Sequence, residues 1–207
     1  MKLRKQGFTL VELLIVILII GILTAVALPR YEKVVERARA AEGIGITRSV
    51  YTAVKAYYDE FHECPASLDY LAVKIPWTGT TQWHTVGPNP GDHKISQAKS
   101  NDRWSVQLYH DLGHTDNTTG ANDEFGCAVI VGRISGKYAG TGWGMFLFPM
   151  YSSGTGTMPT DRLICIQGGH SEMNPTYSGA YNSYCINIFG ATALALNHAN
   201  KFFEMDK

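Results

Sequence analysis

The sequence predicts an α+β protein, in which one long N-terminal α-helix, membrane-length first and amphipathic after, packs on an antiparallel β-sheet head. Three observations predict it. From Phe8 to Leu28, seventeen of twenty-one residues are apolar and Glu12 is the one charge. From Tyr31 to about Phe61, apolar residues recur at three- and four-residue steps, the period of a helix with one buried stripe. Beyond Cys64, short β-like runs alternate with loops rich in Gly, Asn, Ser, Thr and Pro, with no helical pattern between them, which favours antiparallel pairing.

The averages conceal this organisation. The 207 residues carry eighteen Lys plus Arg against eighteen Asp plus Glu, and 45% are apolar, the profile of an ordinary neutral domain. A net charge of zero argues against nucleic acid as a partner. Without residues 8–28 the apolar share of the rest falls to about 41%, slightly lean for a globular body.

The first element follows from length and flanks. Twenty-one residues at about 1.5 Å each span roughly 30 Å, the thickness of a bilayer core. Lys2, Arg4 and Lys5 precede the run with no acid beside them, so the positive-inside rule keeps the N-terminus cytoplasmic and places the C-terminal body outside. A secretory signal has a shorter apolar stretch, about 7 to 15 residues, and a small-residue cleavage site. Removal at the far end of this run is not expected. Glu12 is the anomaly, because a carboxylate inside an apolar span costs on the order of 2.5 to 3.5 kcal/mol. It calls for a partner, unless it lies at the interface near the positive end of the helix dipole.

The string Lys5-Gln6-Gly7-Phe8-Thr9-Leu10-Val11-Glu12-Leu13-Leu14-Ile15-Val16 resembles the processing site of type IV prepilins and pseudopilins. The resemblance implies cleavage after Gly7 by a prepilin peptidase, which also N-methylates the new terminus at Phe8. It implies that Glu12 neutralises the terminal amine of a neighbouring subunit. An amine of pKa near about 8 and a carboxylate near about 4.3 carry opposite charges at neutral pH, and their attraction offsets burial that neither sustains alone. Gly21 and Pro29 match a glycine and a proline between which the family helix loses order on packing. Glycine costs about 1 kcal/mol in a helix and proline about 3. Close packing between membrane helices is the alternative use of Gly21, and a plain end to the span that of Pro29.

The implied organisation is a leader over 1–7, a long helix over 8–63 with 8–28 as membrane and assembly segment, and a pilin-like head over 64–207. The implied function is a structural subunit of a type IV pilus, neither an enzyme nor a cofactor binder; a type II secretion pseudopilin and a membrane-anchored binding protein or enzyme are the alternatives. The implied partners are other pilin subunits, the same or different, and an assembly platform with a cytoplasmic motor ATPase. The chain would sit in the bacterial inner membrane as a single-pass precursor, then in an extracellular pilus or a periplasmic pseudopilus. Loss of the leader removes three bases and leaves fifteen against eighteen acids, a mildly acidic mature subunit.

In the second half of the helix, Val34, Val35, Ala38, Ala41, Val50, Ala53, Val54, Tyr57 and Phe61 form the apolar stripe. Gly43 and Gly45 mark a weak point where a bend is expected, and Pro65 ends the helix near 61–63. In the head the expected strands are Trp104–Tyr109, Cys127–Ile134, Met145–Phe148 and Leu163–Gln167. Thr78–Asn101 reads as a long loop with room for one short strand, Gly140–Gly144 as a turn, and Ala191–Phe203 as a short terminal helix.

Cys64, Cys127, Cys165 and Cys185 all lie beyond the membrane run, in a compartment that permits disulfides. Four cysteines allow three pairings, and buried free thiols are the alternative. A Cys165–Cys185 bond would close a loop of nineteen intervening residues, worth about 3 kcal/mol in the chain-entropy model. It also resembles the disulfide-bounded C-terminal loop of many pilins, which leaves Cys64 with Cys127. No zinc-finger spacing occurs; His110 and His114 echo a zincin helix, but with Asp for Glu and turn residues following. Asp111, Asp116, Asp123 and Glu124 lack EF-hand order and read as a solvated loop. Asn117-Thr118-Thr119 is a glycosylation triplet. Trp77, Trp83 and Trp143 are either ligand-binding aromatics or core.

Overall fold

The computed structural model describes residues 8–81, 95–109, 114–115, 122–123, 127–148, 151–152, 156–157, 159–167, 183–194 and 202–205. The chain divides into two compact units, 1–39 and 40–207. A single helix, α1 (Leu10–Phe61), begins in the first and ends in the second. It runs unbroken through Gly21, Pro29, Gly43 and Gly45. Its exit is set by His62, which takes a left-handed φ of 54° while its N–H still reaches the Tyr58 carbonyl at 2.8 Å, a C-terminal cap that Pro65 prevents from continuing.

In the second unit the main sheet has seven strands, β1 (Ile95–Ser100), β2 (Trp104–Tyr109), β5 (Ala128–Arg133), β6 (Thr141–Phe146), β9 (Ile164–Gln167), β10 (Thr192–Ala193) and β11 (Phe202–Glu204). Their spatial order is β1-β2-β5-β6-β9-β11-β10, antiparallel at every pairing. Two small hairpins join β3 (His114–Thr115) to β4 (Asn122–Asp123) and β7 (Tyr151–Ser152) to β8 (Gly156–Thr157). The α+β expectation holds, a long helix with an antiparallel sheet.

The period of two along the strands sorts residues onto two faces. Trp104, Val106, Leu108, Val129, Val131, Trp143, Cys165 and Phe203 form one buried cluster with Ala40, Val50, Tyr51, Ala53 and Val54 of α1. The alternating set Tyr109, Ala128, Ile130, Phe146, Ile164 and Ile166 forms a second cluster. β2, β5 and β9 are therefore buried on both faces. That explains why β5 and β9 read as near-continuous apolar runs, whereas β2 alternates and buries the polar Ser105 and Gln107 on one face.

At Gly43 the helix lies directly against the sheet's two indoles. A Cβ placed there would lie 2.7 Å from Trp143 Cζ3 and 3.0 Å from Trp104 Cη2. Both rings are fully buried and 5.6 Å apart between centroids, so neither can swing aside. Gly45, two residues on, meets nothing within 4 Å. The pair expected to bend the helix thus has divided roles, one making a notch for two indoles and the other facing open space.

Asp161 latches the helix laterally. Tyr51 Oη donates to its carboxylate at 2.8 Å, and Lys55 Nζ, one turn further along α1, donates to the same oxygen at 2.7 Å. Asp161 sits at φ 58° and its N–H reaches the Phe146 carbonyl at 3.1 Å. The Lys55 bond, then the Tyr51 bond, holds its carboxyl below the ordinary range, while burial and that contact push the Tyr51 phenol up.

Three expectations are corrected. The glycine-rich piece from Gly140 to Gly144 is mostly strand β6, not turn, and the strand lies at 141–146 rather than 145–148. A Cβ at Gly142 would stand 2.7 Å from the Val131 carbonyl oxygen, so glycine serves close strand contact here. At its described residues the segment from Ala191 to Phe203 holds β10 and β11 in place of the expected helix; Phe203 pairs with Cys165 in the sheet and is 2% exposed. Its helical spacing was overridden by sheet pairing. The room left for a strand before Asn101 is filled by β1, whose Ser100 exchanges backbone hydrogen bonds with Gly79.

Two outcomes follow for the full chain in detergent. Gly43→Ala should lower denaturant stability of the head by about 1–3 kcal/mol, the cost of overpacking, whereas Gly45→Ala should match or exceed the parent. Because the Asp161 carboxyl is depressed, its contribution is complete above the ordinary carboxylate pKa of about 3.9 and is lost as pH falls through the lower folded value. Stability should therefore drop below about pH 4, and Asp161→Asn, which tolerates the left-handed backbone, should flatten that acid limb. A part of the limb will persist from Asp69, depressed chiefly by Lys99.

Candidate functional site

The sequence directs attention to the start of α1. Every residue from Phe8 to Val34 is exposed, and the fifteen large apolar side chains between Phe8 and Leu28 are 45% to 81% exposed. Leaving them in water forfeits on the order of 20 kcal/mol at about 1.5–3 kcal/mol per fully buried side chain. That exceeds the entire net stability of a typical domain. The segment therefore requires lipid or other chains around it, and α1 is long and apolar enough to cross a membrane by length and composition.

Its first turn is closed by a reciprocal pair. The Thr9 N–H and the Thr9 hydroxyl each donate to Glu12 Oε2 at 2.8 Å, and the Glu12 N–H donates back to Thr9 Oγ1 at 3.3 Å. This is a capping box: Thr9 is the N-cap, Glu12 the third helical residue, and amides with no intrahelical partner are satisfied. The charge that seemed isolated in the apolar run has a partner within its own turn. The sequence carries the signal as Thr9-Leu10-Val11-Glu12, the spacing of such a box, which a search for a charged partner does not detect.

Gly7 lies outside the described residues, as do Asp111, Asp116, Glu124, Trp83 and the triplet from Asn117 to Thr119. Phe8 precedes the helix and is 77% exposed. A Cβ on Gly21 would meet nothing within 4 Å, so in this chain alone the glycine relieves no contact. Nearby, Thr24 Oγ1 donates to the Ile20 carbonyl at 2.7 Å. Pro29 brings no N–H for the carbonyl four residues before it, yet the helix continues. His114 lies in the small hairpin strand β3 rather than on a helix, and Trp143 is core.

The cysteines form two pairs, Cys64–Cys127 and Cys165–Cys185, with Cα separations of 5.6 and 5.9 Å, in the range disulfides adopt. The first joins the chain just after α1 to the residue before β5. The second joins β9 to a short π-helical turn, Cys185–Phe189, whose first N–H also reaches Gln167 Oε1 at 3.0 Å.

Comparison with known proteins agrees with this geometry. Residues 2–28 match the family model described as the prokaryotic N-terminal methylation motif. A fimbrial protein of Neisseria meningitidis serogroup A is 45% identical over 67 residues, 32% of this chain and 39% of the relative. A type IV major pilin protein, PilE1, of Neisseria gonorrhoeae is 48% identical over 76 residues, 37% and 46% of the two chains. The type IV major pilin protein PilA of Myxococcus xanthus is 44% identical over 95 residues, 46% and 43%. No solved structure matches the chain. The chain spans about two-fifths of the length of the curated relatives it matches. The family model matches the N-terminal segment alone, and the relatives that the chain resembles are fimbrial and type IV pilin proteins.

Thiol titration of denatured protein should find no reactive thiol without reductant and four with it. A count of two would leave one pair standing and identify the other as open.

Proposed function

We propose that the chain is a structural subunit of a type IV pilus, made as a membrane-anchored precursor, cut after Gly7, and polymerised through residues 8–28. The observation that carries the reading is an apolar helix, exposed on all sides behind a methylation motif, whose burial its own chain does not provide. Lipid covers it before assembly, and the same segments of neighbouring copies cover it afterwards. The transfer keeps the apolar surface out of water throughout, so what decides between the two states is register and charge. Glu12 supplies both, because its carboxylate is stable away from water only beside a cation, and cleavage creates one at Phe8.

Lys2, Arg4 and Lys5 would hold the leader in the cytoplasm, with the head outside the inner membrane, where its two cystine pairs persist. A prepilin peptidase would cut the leader and methylate Phe8, while an assembly platform and its motor ATPase supply extraction energy. The role is structural rather than catalytic. The names of the relatives, all fimbrial or pilin proteins, favour a pilus over a secretion pseudopilus.

N-terminal sequencing of the membrane-extracted protein should begin at Phe8. Gly7→Ala should block processing, and a normal-sized mature product from that variant would refute the cleavage site. Glu12→Ala should insert and be processed but yield few filaments; abundant filaments by electron microscopy would exclude the charge pairing.

A further inference from the structure

We propose that Thr9 is a positioning residue for subunit joining, holding one oxygen of Glu12 so that the other is presented to the amino terminus of a second copy. The inference rests on the pilin reading above and adds to it a residue and a geometry. Both Thr9 donors converge on Oε2, at 2.8 Å each. Among the described residues no hydrogen bond reaches Oε1. A carboxylate has about four acceptor sites over its two oxygens, and here the occupied ones are on one side.

The arrangement meets two requirements at once. A glutamate carries several rotatable bonds, and fixing it in the act of pairing costs side-chain entropy; Thr9 has fixed it beforehand. An unpaired carboxylate in an apolar surrounding is costly, and two donors on Oε2 offset part of that cost while the subunit waits in the membrane. A terminal ammonium brings three donors and needs only the acceptor that remains. The hydroxyl of Thr9 is used fully, since it donates to Oε2 and accepts the Glu12 N–H. The position of Thr9 matters as well. Its amide lies one peptide bond beyond the Gly7–Phe8 bond, so cleavage creates the amine at Phe8 and leaves the capping box intact.

The chemistry makes a specific demand on residue 9. Serine preserves both donors and the acceptor, whereas valine matches threonine in shape and lacks the hydroxyl. In cells with the full assembly machinery, Thr9→Val should be inserted and cut like the parent, yet give about tenfold fewer filaments, the order expected for one lost charge-assisted hydrogen bond. Thr9→Ser should assemble at the parental level. In a Glu12→Gln background, Thr9→Val should cause no further loss, because the group it positions is no longer charged. Amide exchange of the mature full-length protein in detergent supplies a second readout. The Thr9 amide should be protected in the parent and should exchange about tenfold faster in Glu12→Ala, a readout of the same bond.

Parental filament yield from Thr9→Val would overturn the proposal, as would an equal loss in the Glu12→Gln background or a Thr9 amide indifferent to Glu12→Ala. A parent chain neither cut after Gly7 nor polymerised would overturn the pilin reading and this proposal together. Abundant filaments from the parent with an indifferent Thr9→Val would overturn the proposal alone.

Discussion

The constraint on which the molecule depends is that one helix meets two kinds of surroundings. Between Phe8 and Leu28 it is apolar all round and exposed, while between Ala40 and Val54 it buries a single stripe in the head core. A helix of the first kind does not remain in water, and one of the second kind needs only a sheet to lie on. No change of secondary structure separates them. The change is in the side chains, from aliphatic on every face to aliphatic on one and charged or small on the others.

The head meets its side of that constraint by close approach. Trp104 and Trp143 are large, and the helix could lie over them only where it carries no side chain, at Gly43. Arg133, itself buried, stands 5.1 Å from the Trp104 ring, adding a cation to the face of the indole. Tyr51 and Lys55 then tie the adjoining turns to Asp161. Packing fixes depth and these polar bonds fix rotation, so they specify orientation more than they add stability, exposed ion pairs being worth little.

At the N-terminal end the same economy of means appears. Glu12 would be an error of design in a simple anchor. As the third residue of a capping box it completes the helix start, with both Thr9 donors on one of its two oxygens. A residue that is unfavourable by composition becomes reasonable once its local bonds are counted. The family model reaches residues 2–28; the head carries two cystine pairs, one of which ties the end of α1 to the sheet.

Most of the architecture was legible in advance, and the reason is periodicity. An unbroken apolar run, a stripe at helical spacing and the β-like runs at Trp104–Tyr109 and Cys127–Ile134 are patterns that nearest neighbours alone create. What could not be read were positions whose meaning depends on distant residues. Gly43 and Gly45 are alike in sequence, and only the indoles brought against one of them tell them apart. Gly142 looked like a turn until Val131 was placed beside it, and Ala191–Phe203 had helical spacing that β9 overrode by offering Phe203 a pairing partner. Asp161 lies more than one hundred residues from Tyr51 and Lys55. By itself the chain of residues determined the membrane-length helix, the cations that precede it and its N-terminal methylation motif, because each is a local property of charge and hydrophobicity. The tertiary structure decided which glycine is a notch, which strands close the sheet and which acid latches the helix, because those depend on packing between segments that the order of residues leaves far apart.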